Sequence, residues 1–206
     1  MAKREAEGGG VDPSQVVRHF LFALAAGGAG AAASIALSLA VDLAARLSGR
    51  FPWLLLALPA LGAASVLLYR VLKLPAHLAT DTLVDRLRRN DRVPPALAPG
   101  ILAGTFLTVL GGGSVGKEAA ALQLGGSVSS WLGPLVGLRD EEFQETFVMC
   151  GMAAALSAVL LAPLAAAVFV VEVMHRRISH PARLAAPALS SLTAFAVARL
   201  AGAHLV

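Results

Sequence analysis

The sequence Gly111-Gly112-Gly113-Ser114-Val115-Gly116-Lys117-Glu118 separates two apolar segments of a 206-residue chain. Glycine lets the backbone turn sharply, and it leaves the N–H groups of such a loop open. These groups stand at the positive end of the helix that the loop opens, where an anion is stabilised. A Lys-Glu pair between apolar helices is costly in a bilayer, so it marks a functional site. The stretch therefore predicts an anion site within a membrane protein.

The composition also indicates a membrane protein. Hydrophobic residues make up 57% of the chain and charged residues 15%, whereas soluble domains are about 25% charged. The mean hydropathy is +0.72. The net charge is +4, and in a membrane protein such an excess sets orientation rather than binding nucleic acid. A single cysteine, Cys150, excludes an internal disulfide. We predict that Cys150 is a small buried apolar residue. No metal or cofactor is expected.

The sequence predicts two regions. Residues 1–15 are polar and predict a disordered cytoplasmic tail, while residues 16–206 predict one membrane domain. No signal-peptide cleavage pattern closes the first apolar run, so this run predicts a membrane helix. Apolar segments predict helices over 16–47, 53–72, 96–110, 118–131, 146–161, 163–174 and 184–206. The first is longer than a bilayer requires and must tilt, whereas 118–131 spans only about 21 Å. The fold class is therefore an all-α integral membrane protein, a bundle of tilted and broken transmembrane helices.

Two basic segments set the predicted orientation. Residues 70–92 contain six Lys or Arg, and residues 175–183 contain three more. Within the first segment, 77–90 predicts an amphipathic helix at the membrane surface, and 133–145 predicts a polar link further along the chain. Because Lys and Arg are enriched in cytoplasmic loops, both basic segments and the N-terminus are predicted to be cytoplasmic in a multi-pass protein.

The glycine loop has two other interpretations. Gly111-x-x-x-x-Gly116-Lys117 has the spacing of a phosphate-binding loop, which would make this a nucleotide-binding membrane protein. That motif requires Ser or Thr next to the lysine to hold a metal, and Glu118 stands there instead. The second interpretation is a purely structural glycine hinge, since glycine also permits tight helix packing.

Two blocks of sequence resemble the CLC family of chloride channels and transporters. Residues 113–125, GSVGKEAAALQLG, resemble the family signature with its Gly-(Lys/Arg)-Glu-Gly-Pro core. Further along, residues 149–156, MCGMAAAL, and 162–172, APLAAAVFVVE, resemble a later block with Ala-Pro-Leu-Ala-Gly and Phe-x-x-Glu. The resemblance covers 16–206 and implies the N-terminal half of the family fold.

The resemblance implies passive or proton-linked transport of chloride or fluoride across a bacterial inner membrane, and no enzymatic reaction. The glutamate of the family signature is the gate, which competes with the anion for the outer site, and this role falls on Glu118. The backbone amides of Gly116, Lys117, Glu118 and Ala119 are then the anion donors. Lys117 adds positive potential to the entry path, or it is an interface lysine that extends its ammonium towards the headgroups.

The chain departs from the family pattern at several positions. Residues 73–77, KLPAH, stand where the family has Gly-Ser-Gly-x-Pro, so the serine that contacts the central anion is missing. Ala119 and Ala120 replace Gly-Pro. Glu172 takes the Phe-x-x-Glu position, but Val173 follows where proton-coupled members have a second glutamate. Glu172 is therefore either on a proton path or at a helix end, and the pattern favours a channel or an antiporter with another proton route. The compact loop is similar to that of fluoride-exporting and related divergent bacterial branches.

The family fold contains two inverted halves, and this chain resembles only the first. The second half supplies further amides, a central tyrosine and most of the dimer interface. The resemblance therefore implies a homo-oligomer or a second CLC-like half as partner, in addition to the lipid bilayer, the anion and coupled protons. The alternative is a transport-incompetent half-length membrane subunit or fragment.

Overall fold

The computed structural model describes residues 13–74, 85, 93–94, 96–135, 141–175 and 182–202. Over these ranges, helices are the only regular elements, with no strand. They are α1 (Pro13–Arg50), α2 (Leu58–Val71), α3 (Leu97–Leu110), α4 (Lys117–Leu135), α5 (Glu141–Leu160), α6 (Pro163–His175) and α7 (Ala182–Leu200), with a 3-10 helix at Pro52–Leu55. The predicted all-α class is confirmed.

The helix boundaries differ from the predicted ones at a few places. Helix α1 begins at Pro13, where proline at the start of a helix loses no hydrogen bond. Helix α4 continues to Leu135 and α5 begins at Glu141, so the predicted polar link was wrong over 133–135 and 141–145. A helix can extend past its apolar core, and polarity alone did not show that extension. The predicted tail over 1–12 and most of the predicted amphipathic helix at 77–90 lie outside the described residues.

The helices in the described ranges fall into three length classes. Helix α1 has 38 residues and is therefore about 57 Å long, well beyond the roughly 30 Å hydrocarbon core of a bilayer. Within the part of the chain that the structure describes, two helices are long and apolar enough to cross a membrane, over Phe20–Arg50 and Phe143–Leu160. Helices α2, α3 and α6 have 14, 14 and 13 residues, so each measures about 20 Å. Helices α4, α5 and α7 have 19, 20 and 19 residues, so each measures about 28–30 Å, and α4 is longer than predicted. The breaks between α3 and α4 and between α5 and α6 give the predicted broken-helix pattern.

Helix α5 is the centre of the bundle, because α1, α4, α6 and α7 all pack against it. Residues 151–158 of α5 are all buried. Small residues bring the backbones close together: a Cβ added to Gly30 of α1 would lie 2.7 Å from Ala154 Cβ, and one added to Gly125 of α4 would overlap the carbonyl oxygen of Gly151. Membrane helices associate through such small-residue contacts because lipid supplies no hydrophobic driving force between them.

Serine hydroxyls link the buried helices. Ser34 Oγ donates to the carbonyl oxygen of Ala155 at 2.7 Å, which joins α1 to α5. Ser190 Oγ donates to the carbonyl oxygen of Cys150 at 2.9 Å, which joins α7 to α5. A membrane interior offers no water, so such bonds within the protein stabilise buried hydroxyls. Cys150 itself is buried and free, as the sequence predicted.

The faces directed away from α5 are apolar. Helix α2 and the 3-10 helix contain no buried residue, and α2 packs against α3. Exposed large side chains occur on several helices: Leu39, Leu43, Val66, Leu67, Leu164 and Phe169. A helix that is apolar on its outer face as well as its inner face is typical of a membrane span.

Candidate functional site

The glycine loop begins as the end of α3. Gly112 has a φ of +79°, in the left-handed region that glycine adopts without steric cost. Its N–H donates to the carbonyl oxygen of Val109, and the N–H of Gly113 donates to that of Thr108, both at 2.9 Å. These are the two hydrogen bonds of a Schellman motif. The N–H of Gly111 also donates to an α3 carbonyl, that of Leu107, at 3.2 Å. The expectation of open glycine amides is therefore wrong for Gly111, Gly112 and Gly113.

The 3-10 helix and the start of α2 cover the first half of the loop, residues 111–113. A Cβ added to Gly111 would lie 2.7 Å from Leu58 Cδ1, and one added to Gly112 would overlap Leu55. Neither leucine was predicted to be near the loop, because nothing but its apolar character distinguishes 52–58 in the sequence. A side chain at either position would require the end of one of these leucines to shift, so the glycines let the connection pack closely against the loop.

The second half of the loop is open. Residues 114–116 are exposed, and α4 begins at Lys117. The amides at the start of a helix have no partner within the helix, and they form the positive end of its dipole. Glu118 and Ala119 are exposed while Lys117 is partly so. The structure thus places Gly116, Lys117, Glu118 and Ala119 together at one accessible helix end.

The helices on both sides of the loop test the interpretation that it is a phosphate-binding loop. A phosphate-binding loop follows a strand, whereas the described element before this loop is helix α3. Glu118 also occupies the position at which that motif needs a hydroxyl. The nucleotide-binding interpretation was therefore wrong.

The side chain of Glu118 turns back over the loop. A Cβ added to Gly116 would lie 3.2 Å from Glu118 Oε2. The carboxylate is thus next to the residue that precedes α4, at the positively polarised end of the helix. A carboxylate and a small anion are stabilised there for the same reason, so they would compete for the same place.

Lys117 has a partner that the sequence analysis missed. Its Nζ lies 3.9 Å from Asp42 Oδ1 in α1, with the two side chains 28% and 47% exposed. Asp42 is the one acidic residue in the 38-residue sequence of α1. That isolation was the available signal, because an ionisable residue inside an apolar span marks a site. The contact brings the C-terminal part of α1 to the start of α4.

Two other predicted features belong to different parts of the fold. Glu172 is exposed on α6, which ends at His175 and packs against α5 and α7. Lys73 lies just after α2 with a φ of +52°. Residues 75–77, the rest of the segment that stands in place of the family's serine motif, lie outside the described residues.

These observations define an integral membrane protein with broken helices and an accessible, charged helix end. The family model for the voltage-gated chloride channel matches residues 61–205. The chain therefore belongs to the voltage-gated chloride channel family, and the CLC resemblance of the sequence is confirmed.

Individual relatives agree with this assignment. A chloride/fluoride channel protein of Pseudomonas syringae pv. tomato is 32% identical over 155 residues, which are 75% of this chain and 33% of that protein. The crystal structure of a CLC-type fluoride/proton antiporter matches with a TM-score of 0.77 and 26% identity, over 93% of this chain and 48% of that one. This chain therefore spans about a third of the curated relative and about half of the antiporter. The partial coverage fits the predicted N-terminal half.

Proposed function

We propose that this chain forms part of a CLC-type pathway that carries chloride or fluoride across the bacterial inner membrane. Glu118 is the gate, and the amides of residues 116–119 are the anion donors. The observation that carries the proposal is the Glu118 carboxylate, which lies beside Gly116 at the start of α4. The names of two relatives, a chloride/fluoride channel protein and a fluoride/proton antiporter, support the choice of anion.

The gate works by competition at the helix end. The ionised Glu118 carboxylate is attracted to the unpaired amides and excludes a halide of the same charge. Protonation removes that attraction, so the side chain moves away and the anion takes its place. The exposure of Glu118 and of residues 114–116 supports this step, because the side chain has room to move.

The orientation follows from the distribution of basic residues. We propose a cytoplasmic N-terminus, with the basic segments 70–92 and 175–183 on the same side. We also propose that Glu172 is a helix-end residue, because it is exposed near the end of α6 and Val173 follows it. A proton path through Glu172 is the other interpretation of this residue.

A complete pathway requires more helices than the described ones. Residues 114–116 are exposed, and the chain covers 48% of the antiporter chain. We propose that a second copy of this chain or a further CLC-like half encloses the loop. The same exposure favours the second candidate function, a transport-incompetent half-length subunit.

Anion efflux from proteoliposomes that contain only this chain tests the proposal. We expect fluoride or chloride efflux, and we expect Glu118→Gln and Glu118→Ala to remove its dependence on pH because neither side chain can ionise. Asp85→Asn is the matched control, since it makes the same carboxylate-to-amide change at an exposed residue outside the loop.

Two outcomes would contradict different parts of the proposal. Efflux that keeps its full pH dependence in both Glu118 variants would reject the gate. Absence of efflux for both anions, with the chain shown to be folded and inserted, would support the transport-incompetent subunit.

A further inference from the structure

An isolated carboxylate in α1 needs an explanation. Asp42 stands between Val41, which is buried, and Leu43, which is 53% exposed. A carboxylate in such an apolar helix is costly in a membrane unless a cation is near. The cation that the structure shows is Lys117, with 3.9 Å between Nζ and Oδ1. Asp42 is therefore tied to the first residue of α4, beside the proposed gate.

Charges of alternating sign meet at this helix end. Asp42 is negative, Lys117 is positive, and the Glu118 carboxylate lies over the preceding loop. The other cations on this part of α1 are Arg46 and Arg50, one and two turns further along and both exposed. Because Asp42 and Lys117 are both partly exposed and their charged atoms are 3.9 Å apart, the pair is weak enough to exchange.

We propose that Asp42 is a positioning residue, which holds the Lys117 ammonium beside α1 and so lowers the positive potential at the anion-binding end of α4. This inference rests on the proposed function, because it assumes that residues 116–119 bind the anion. While Lys117 is paired, its charge is largely neutralised by Asp42, and an incoming anion gains less from it. Asp42 thus sets the affinity of the outer site without touching the anion.

The inference predicts that substitutions of Asp42 and of Lys117 shift the half-saturating anion concentration in opposite directions. Loss of a unit charge close to a partly exposed site changes the affinity for an ion by about three- to tenfold. Asp42→Asn keeps the shape of the side chain and releases Lys117, so the half-saturating anion concentration should fall by about that factor. Lys117→Met should raise it by a similar factor, and Asp42→Glu should restore the wild-type value.

The experiment measures half-saturating fluoride and chloride concentrations and maximal efflux rates for the wild type, Asp42→Asn, Lys117→Met and the double variant. If Asp42 acts through Lys117, Asp42→Asn should shift the half-saturating concentration less in the Lys117→Met background, where only its own repulsion of the anion is lost, than in the wild type. The shift caused by Asp42→Asn should also shrink when an impermeant salt raises the ionic strength, because salt screens partly exposed charges. A structural role would alter the maximal rate or the Tm and leave the half-saturating concentration unchanged.

Two results would overturn the inference. One is an unchanged half-saturating concentration in Asp42→Asn, and the other is a purely additive double variant. If the chain alone transports no anion, the half-saturating fluoride concentration is measured from the fluoride-dependent rise of Tm in detergent, since a bound ligand stabilises the folded state. The variant Glu118→Gln, measured in parallel, distinguishes failure of this inference from failure of the proposed gate. Efflux that depends on Glu118 but is insensitive to Asp42 rejects only this inference.

Discussion

The break between α3 and α4 spans residues 111–116, whereas the break between α5 and α6 consists of Leu161 and Ala162 alone. Each break contains one residue in the left-handed region, Gly112 with a φ of +79° and Leu161 with a φ of +53°. The first break is followed by the charged pair Lys117-Glu118, and the second leads directly into Pro163. The two breaks thus share a left-handed residue and leave different groups at the next helix start.

The difference lies in what each break packs against. Leu161 is partly buried against a cluster of alanines on α1, α5 and α7: Ala31, Ala154, Ala158, Ala194 and Ala198. Its left-handed backbone costs about 1–2 kcal/mol, and burial of its side chain offsets that cost. Gly112 has no side chain, and Leu55 occupies the space where one would be.

The helix starts differ as well. Pro163 has no N–H, so α6 begins with one donor fewer. Helix α4 begins with the free amides of Lys117 and Glu118, in an exposed loop. The anion site is therefore proposed at the first break and not at the second. Accessible amides and nearby charge distinguish the first break from the second.

The largest expected effect comes from adding a side chain to the first break. Gly112→Ala forces an L-residue into the left-handed region and against Leu55, so it should lower the free energy of unfolding by about 3 kcal/mol. Unfolding by SDS titration in mixed micelles measures this value. The double variant Gly112→Ala/Leu55→Ala should recover the packing part of the loss and keep the backbone part.

A small effect of Gly112→Ala would mean that the two breaks tolerate a side chain equally well. If Gly112→Ala costs less than about 1 kcal/mol, the loop tolerates a side chain as the second break does, and its turn is not conformationally restricted. Gly28→Ala is a suitable control, because an added Cβ there meets nothing within 4 Å.

The second prediction removes the side chain that stabilises the other break. Leu161→Ala should lower the free energy of unfolding by about 2 kcal/mol, because it loses the packing and keeps the strained backbone. Leu161→Gly loses the same packing but relieves the strain, so we expect a loss of about 1 kcal/mol. The same SDS titration compares them. A greater loss for glycine than for alanine would show that backbone strain at Leu161 is unimportant.

These positions show how far the sequence could predict the structure. Apolar segments, glycines and prolines are local signals, and they located the helices and both breaks. The neighbours of the loop depend on contacts between distant segments, so the sequence did not place Leu55 against Gly112 or Asp42 beside Lys117. The site residues 116–119 could be proposed because the family signature is itself a local pattern. The hydrogen bonds of Gly112 and Gly113 could not be predicted, since they depend on where α3 ends.

The smallest expected effect tests a third left-handed residue, which has neither the freedom of Gly112 nor the packing of Leu161. Lys73 is exposed, and its N–H donates to the carbonyl oxygen of Arg70 at 3.0 Å while the N–H of Leu74 donates to that of Tyr69 at 2.9 Å. This is the Schellman pattern with lysine at the position that favours glycine. Lys73→Gly should therefore raise the free energy of unfolding by about 0.5–1 kcal/mol, whereas Lys73→Ala should change it little. If glycine does not stabilise this turn, the left-handed backbone carries no net cost here, and the argument that packing offsets the cost at Leu161 fails with it.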